Sequence, residues 1–238
     1  YFYEVAKKLG VDRLSLTAKK FGLGKKVLNG FSEERSGVVP STSWKKKYIG
    51  QNWYLGETLH SGIGQGYFLS TPIQLCLMTA QIANGGFEIK PRIIFDKTNN
   101  NLKNYLDFKN KNPNQPLTEE LLLSNFSLKP LFNNQENINF IKDAMFASSN
   151  EPGGTSYRSR LQDQRYTFAG KTGSSQIKRF TEEQREAEVK QKDIEYKNRD
   201  HALFIAFAPV KDPKYAISVV VEHGGTGRSS AEKKKKKV

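Results

Sequence analysis

The 238-residue sequence predicts an α/β fold of the α+β kind, an antiparallel sheet packed with helices and incomplete at both ends. Two observations carry this. Helical patterns come first, and three strand-like segments close the chain. The last two of these are rich in Ala, Phe, Ile and Val and flank the turn Pro209-Val210-Lys211-Asp212-Pro213, the pattern of a hairpin. A chain of this length buries a core without disulfides, and no internal repeat argues for another architecture.

The elements follow in order. The first residues, Tyr1-Phe2-Tyr3, already lie inside a helical pattern, with Phe2, Val5, Ala6 and Leu9 on one face and Gly10 as a stop, so this end reads as cut. A second short helix takes Asp12 as its N-cap, sets Leu14 and Phe21 on its apolar side, and ends at Gly22 and Gly24. Residues 25 to 60 lose periodicity. They interleave Gly30, Gly37, Pro40, Gly50 and Gly56 with Trp44, Trp53 and Tyr54, which reads as an ordered loop region pinned by aromatics. Thr71, Pro72 and Gln74 then form an N-cap, a first-turn proline and a capping box, opening a helix that runs to Asn84-Gly85-Gly86. Ile73, Cys76, Leu77, Ala80, Ile82 and Ala83 leave it little polar face, so it is expected to be buried. Residues 97 to 116, rich in Asn, Lys and Pro, read as an exposed connection, and a helix with Ile138, Ile141, Ala144 and Met145 in register is predicted over 136 to 148. Strands are predicted at Arg165 to Ile177, His201 to Ala208 and Tyr215 to Glu222. Between the first two, a polar helix starting at Thr181, with Gln184 in the capping position and Glu186–Lys190 and Glu188–Lys192 pairs, is expected to project into solvent.

The formal net charge of +14 suggests a polyanionic partner at first sight. Part of it is the terminal run Lys233 to Lys237, and the remainder is spread along the chain without a basic stripe interleaved with aromatics, which argues against nucleic acid. Residues 232 to 238 read as a lysine-rich disordered tail on a single domain spanning 1 to 231. No stretch approaches the ~18 apolar residues of a membrane span, and no signal peptide opens the sequence. Cys76 sits in an apolar run as a small hydrophobe.

Most short motifs fail on their context. Gly62, Gly64 and Gly66 have the wrong spacing for a dinucleotide loop and follow an irregular segment where a strand is required, and in Gly22-Leu23-Gly24-Lys25-Lys26 a lysine stands where a phosphate loop needs Ser or Thr. His60, His201 and His223 are scattered without a metal-ligand pattern, so neither metal nor cofactor is expected. Lys171-Thr172-Gly173 differs because it lies within a predicted strand, after Phe168-Ala169-Gly170 and before Ser174-Ser175-Gln176. A lysine and a hydroxyl on an edge strand can hold a substrate carboxylate, and a glycine beside them lets a substrate backbone approach. In that setting the tripeptide matches the third motif of penicillin-recognising serine enzymes.

Longer segments add to it. Ile63-Gly64-Gln65-Gly66-Tyr67 followed by Ser70-Thr71-Pro72-Ile73-Gln74-Leu75 closely resembles the IGQGY...TPIQ segment of class B penicillin-binding proteins. Glu33-Glu34-Arg35-Ser36-Gly37, Val39-Pro40 and Trp44-Lys45 resemble the elongation-type branch of that family, penicillin-binding protein 2. Glu151-Pro152-Gly153-Gly154-Thr155, Gly170-Lys171-Thr172-Gly173, Arg199-Asp200-His201, Phe207-Ala208-Pro209 and Glu222-His223-Gly224-Gly225 follow in the family's order. The sequence departs from the family in three ways. It holds no SxxK in family context, position 174 is Ser where Thr is common, and the likeness fades after Ala231.

The resemblance implies part of a peptidoglycan D,D-transpeptidase acting in cell-wall elongation and cell-shape maintenance, without the serine nucleophile. An upstream serine would attack the D-Ala-D-Ala of one stem peptide and expel D-alanine, and an amine from a second stem would resolve the acyl-enzyme. Lys171 would supply positive potential for the substrate carboxylate and orient a hydroxyl of the second motif. Thr172 would hydrogen-bond that carboxylate, Gly173 would admit the substrate backbone, and the Ser174 backbone N–H would be one of two oxyanion donors. The implied partners are stem peptides, β-lactams and a glycan polymerase of the shape, elongation and division family. The implied place is the periplasmic side of the inner membrane, through an N-terminal anchor missing from this sequence. A β-lactamase or β-lactam sensor shares KTG but is not expected to carry the EERSG and IGQGY...TPIQ segments. A non-catalytic binding fragment is the remaining alternative.

Overall fold

In the computed structural model of the chain, residues 1–28, 31–93, 107, 108, 111, 112, 129–177 and 194–226 are described. Among them lie α1 (Phe2–Leu9), α2 (Val11–Lys20), α3 (Thr42–Tyr48), α4 (Leu55–Ser61), α5 (Pro72–Ala83) and α6 (Glu136–Asn150), with strands β1 (Ala169–Ser175), β2 (His201–Ala208) and β3 (Tyr215–Val221). The strands form an antiparallel sheet in the order β1-β2-β3, with Lys171 opposite Ile205 and Phe204 opposite Val219. The predicted hairpin and the α+β class are therefore present.

Strand β2 is central and apolar from Ala202 to Ala208, with both of its faces covered. On one face, Phe207 joins Ile82, Ala83, Met145 and Ala169 in a core between the sheet and helices α5 and α6. On the other, Ala202, Phe204 and Ala206 pack with Phe168, whose ring meets Phe204 edge-on at 6.1 Å. The expectation that α5 is buried holds, and its polar residues are buried with it. Gln74 receives the Thr71 N–H and donates to the carbonyls of Lys25 and Ser36, while Gln81 donates to Phe21 and receives the Ile89 N–H. A fully buried amide is tolerated because each of its groups has a partner. Cys76 lies half-buried with its thiol 3.5 Å from the Ala216 carbonyl of β3, and burial pushes its pKa up.

The region from 25 to 60 is more structured than expected. It contains α3 and α4, whose seven residues each are too short for a periodicity signal. Ser41 caps α3 by receiving the Trp44 N–H, and aromatics do pin the region: the Trp44 and Tyr67 rings stand 5.3 Å apart and the Trp53 and Tyr67 rings 6.2 Å apart. At its centre Lys45 is 1% exposed, paired with Glu57 and lying 4.6 Å from the Tyr54 ring centre. Partial burial works against Glu57 ionisation, but the Lys45 ammonium and the Tyr54 N–H outweigh it and hold the carboxyl below its ordinary value.

Other expectations need correction. Asp12 does not cap its own helix, whose N-cap is Gly10. Its carboxylate receives the backbone N–H and hydroxyl of Thr42 instead, capping α3 from thirty residues away in sequence. On α1 only Ala6 is buried, with Phe2 and Val5 exposed. On α6 the buried residues are Ile138, Met145 and Ser149, so Ile141 and Ala144 fall outside the buried stripe. Strand β1 starts at Ala169, because Gln164–Tyr166 forms a 3-10 turn before it, and β3 ends at Val221. Nearly all of the 97–116 connection, the polar helix from Thr181 up to residue 193, and the 231/232 boundary lie outside the described residues. Ahead of β2, Tyr196–Asn198 forms a single 3-10 turn.

Candidate active site

The site is built on the edge of β1 that faces away from β2. Four carbonyls of this stretch receive side-chain donors: Phe168 from Asn150 at 2.8 Å, Gly170 from Ser149 at 3.3 Å, Thr172 from the Lys171 ammonium at 2.9 Å and Ser174 from Gln65 at a long 3.5 Å. The even-numbered carbonyls therefore all turn away from β2. In an antiparallel strand the N–H and C=O of one residue point to the same side. The Ser174 amide thus faces this edge as well, where no further strand pairs among the described residues.

Lys171, Thr172, Gly173 and Ser174 all lie within β1, as the sequence predicts. The Lys171 and Thr172 side chains leave opposite faces of the strand, yet the lysine stem folds over the edge and brings its ammonium to the Thr172 carbonyl. Lys171 is exposed by surface area, but neighbouring atoms strip part of the hydration from its ammonium, and this desolvation lowers its pKa. A Cβ at Gly173 would meet nothing closer than Leu203 at 3.5 Å, an ordinary contact. Packing among the described residues does not require glycine there.

Two residues outside the predicted set join the site. Gln65, from the Gly64-Gln65-Gly66 turn, reaches Ser174 across 109 positions of sequence. Thr155, from the loop after α6, places its hydroxyl 3.1 Å from that of Thr172 and 3.2 Å from that of Ser148. Both belong to segments that the family likeness singles out, which was the available signal. The structure also unites two of the scattered histidines. The His223 N–H donates to His201 Nδ1 at 3.0 Å, and the two rings stand 5.0 Å apart. They brace the end of the β2–β3 hairpin. Among the described residues, no three of His, Cys, Asp and Glu gather as metal ligands, and no helix is long and apolar enough to cross a membrane.

Comparison with known proteins bears on the family and the fold. Residues 1–238 match the penicillin binding protein transpeptidase domain. Over 226 residues the chain is 32% identical to the peptidoglycan D,D-transpeptidase MrdA of Salmonella typhimurium strain SL1344, covering 95% of this chain and 33% of that protein. The Haemophilus influenzae MrdA is 31% identical over 240 residues, covering all of this chain and 34% of that protein. Among solved structures, Pseudomonas aeruginosa PBP2 in complex with WCK 5153 superposes with a TM-score of 0.69 at 33% identity, covering 96% of this chain and 43% of that one. Helicobacter pylori PBP2 in its complex with MreC gives a TM-score of 0.70 at 30% identity, covering all of this chain and 38% of that one. The chain spans about a third of the length of the curated relatives it matches.

Proposed function

The chain belongs to the penicillin-binding protein transpeptidase domain family, and from that membership we propose that it forms the strand wall of the acyl-transfer cleft in a peptidoglycan D,D-transpeptidase. One observation carries the reading. Lys171, Thr172 and the Ser174 amide, which have the chemistry to meet a carboxylate and an oxyanion, sit within four residues at a strand edge that β2 leaves open.

The reaction divides between this wall and a serine contributed from outside it. The serine attacks the penultimate D-alanine carbonyl, the carbonyl oxygen becomes an oxyanion, and the Ser174 N–H donates to it as the charge develops. Losing such a donor typically costs roughly 3 to 4 kcal/mol. Expulsion of D-alanine leaves an ester, which the amine of a second stem peptide attacks to form the cross-link. Lys171 provides positive potential for the terminal carboxylate and orients a second-motif hydroxyl, Thr172 donates a hydrogen bond to the carboxylate, and Gly173 lets the substrate backbone lie close. A β-lactam, whose carboxylate and strained amide copy these features, is attacked in the same way. The proposed setting is cell-wall elongation and shape maintenance at the periplasmic face of the inner membrane, beside a glycan polymerase of the shape, elongation and division family.

The test is the second-order rate of acylation by a penicillin in the full-length protein carrying this segment. Lys171→Ala removes a partly desolvated charge facing a carboxylate, an expected loss of about 1.5 to 3 kcal/mol, or ten- to a hundredfold in rate. Lys171→Arg restores only part of it, because a planar guanidinium does not occupy the place of a compact ammonium. Because the Lys171 pKa lies below the ordinary 10.5, the wild-type rate should begin to fall as pH rises toward that value, while the alanine variant should not show this limb. Equal rates in all three proteins would return Lys171 to the surface.

A further inference from the structure

Thr155 is fixed by an unusually tight return of the chain onto α6. A Cβ at Gly154 would stand 2.4 Å from the Ser148 carbonyl oxygen and 2.7 Å from that of Ala147, so only glycine allows this approach. The backbone N–H of Ser156 and its hydroxyl both donate to the Ser148 carbonyl, at 3.0 and 3.1 Å, and the Ser149 hydroxyl lies 3.1 Å from that of Ser156. This lattice places the hydroxyls of Ser148, Thr155 and Thr172 in an unbroken row with spacings of 3.2 and 3.1 Å, ending at the residue assigned to the substrate carboxylate.

We propose that Thr155 is a positioning residue for Thr172, and that the Ser148–Thr155–Thr172 row is a reversible hydroxyl relay that supplies one oriented proton to the carboxylate. The inference rests on the carboxylate reading of Thr172 given above. A threonine hydroxyl has one hydrogen, and a carboxylate only accepts. In the structure the Thr172 hydroxyl donates to Thr155, which commits its hydrogen away from substrate. A partner able only to accept would then compete with the carboxylate. Thr155 does not, because a small adjustment of its side chain with rotation of its hydroxyl reverses the link: Ser148 donates to Thr155, Thr155 to Thr172, and Thr172 to the carboxylate. With every hydroxyl pointing the same way, each bond polarises the next by ~10–30%, and the terminal bond to a charged acceptor is the one strengthened most.

The experiment uses the full-length protein and two probes, benzylpenicillin and its carboxyl methyl ester, with second-order acylation rates and thermal melts for each variant. Thr155→Val keeps the shape and removes the hydroxyl. It should slow acylation by benzylpenicillin about three- to tenfold, in line with one hydrogen bond, and should leave the ester unaffected. Thr155→Ser should restore the rate to within about twofold, and in a Thr172→Val background Thr155→Val should cost nothing more. An unchanged or faster Thr155→Val rate, or an equal loss with the ester, would overturn the relay. If Thr172→Val itself leaves benzylpenicillin acylation unchanged, the carboxylate reading falls and the relay with it. If Thr172→Val slows acylation while Thr155→Val does not, the relay alone falls.

Discussion

Lys45 and Phe204 are both almost completely hidden from solvent, but they are hidden by opposite means. Phe204 sits on a sheet face among Ala202, Ala206 and Phe168, its ring edge-on to that of Phe168. Lys45 sits among Trp53, Tyr54 and Glu57, where its charge is balanced by one carboxylate and by the electron-rich ring faces. Apolar burial is non-directional and accepts a change of shape at modest cost. A buried charge depends on specific partners, and removing the carboxylate strands the ammonium. The sheet is thus the adaptable half of the scaffold and the Lys45 cluster the exacting one.

The sharpest way to break this contrast is Lys45→Ala, which empties a fully buried site and is expected to destabilise the fold by about 2–5 kcal/mol; a loss below about 1 kcal/mol in urea unfolding would reduce the pair to a surface contact. A smaller effect is expected from Phe204→Leu, which keeps an apolar side chain in an apolar site and should cost under about 1.5 kcal/mol. The two regions should also respond differently to acid. The folded-state pKa of Glu57 lies below its ordinary 4.5, so its contribution is fully present above that value and is lost as pH falls through the folded-state pKa. Unfolding curves of wild type and Glu57→Gln should therefore converge below about pH 4.5, whereas the Phe204→Leu penalty should stay constant over the same range. Convergence in both, or in neither, would remove the distinction. The smallest effect is expected at Ile141. Its position in the helical stripe suggests core, but it is 42% exposed, and Ile141→Ser should change stability by no more than about 0.5 kcal/mol by thermal melt.

How much could be read in advance follows the range of the forces involved. The start of α5 was legible because Thr71, Pro72 and Gln74 act within one turn of each other, and the structure contains that capping box intact. The hairpin was legible because its two runs and its turn are contiguous. Helices α3 and α4 were not, since seven residues give no measurable period; the one local signal was Ser41 ahead of Trp44. Asp12 shows the ambiguity of local signals, because an aspartate near a helix start caps whichever free N–H groups the fold brings to it, here those of Thr42.

The candidate site divides in the same way. By itself, the sequence determined that Lys171, Thr172, Gly173 and Ser174 share a strand and alternate across it, because side-chain alternation is a property of any extended backbone. It could not determine which edge of that strand faces away from the sheet, nor that Gln65 and Thr155 converge on it from 109 and 17 positions away. Those outcomes depend on the register of β1 on β2 and on the path by which the chain leaves α6, and both are set by packing between segments distant in sequence. A one-residue slip of β1 would turn Thr172 to the opposite face and separate it from Thr155. That slip is opposed where the strand begins, because Phe168 and Ala169 are buried on opposite faces of the sheet and would exchange sides.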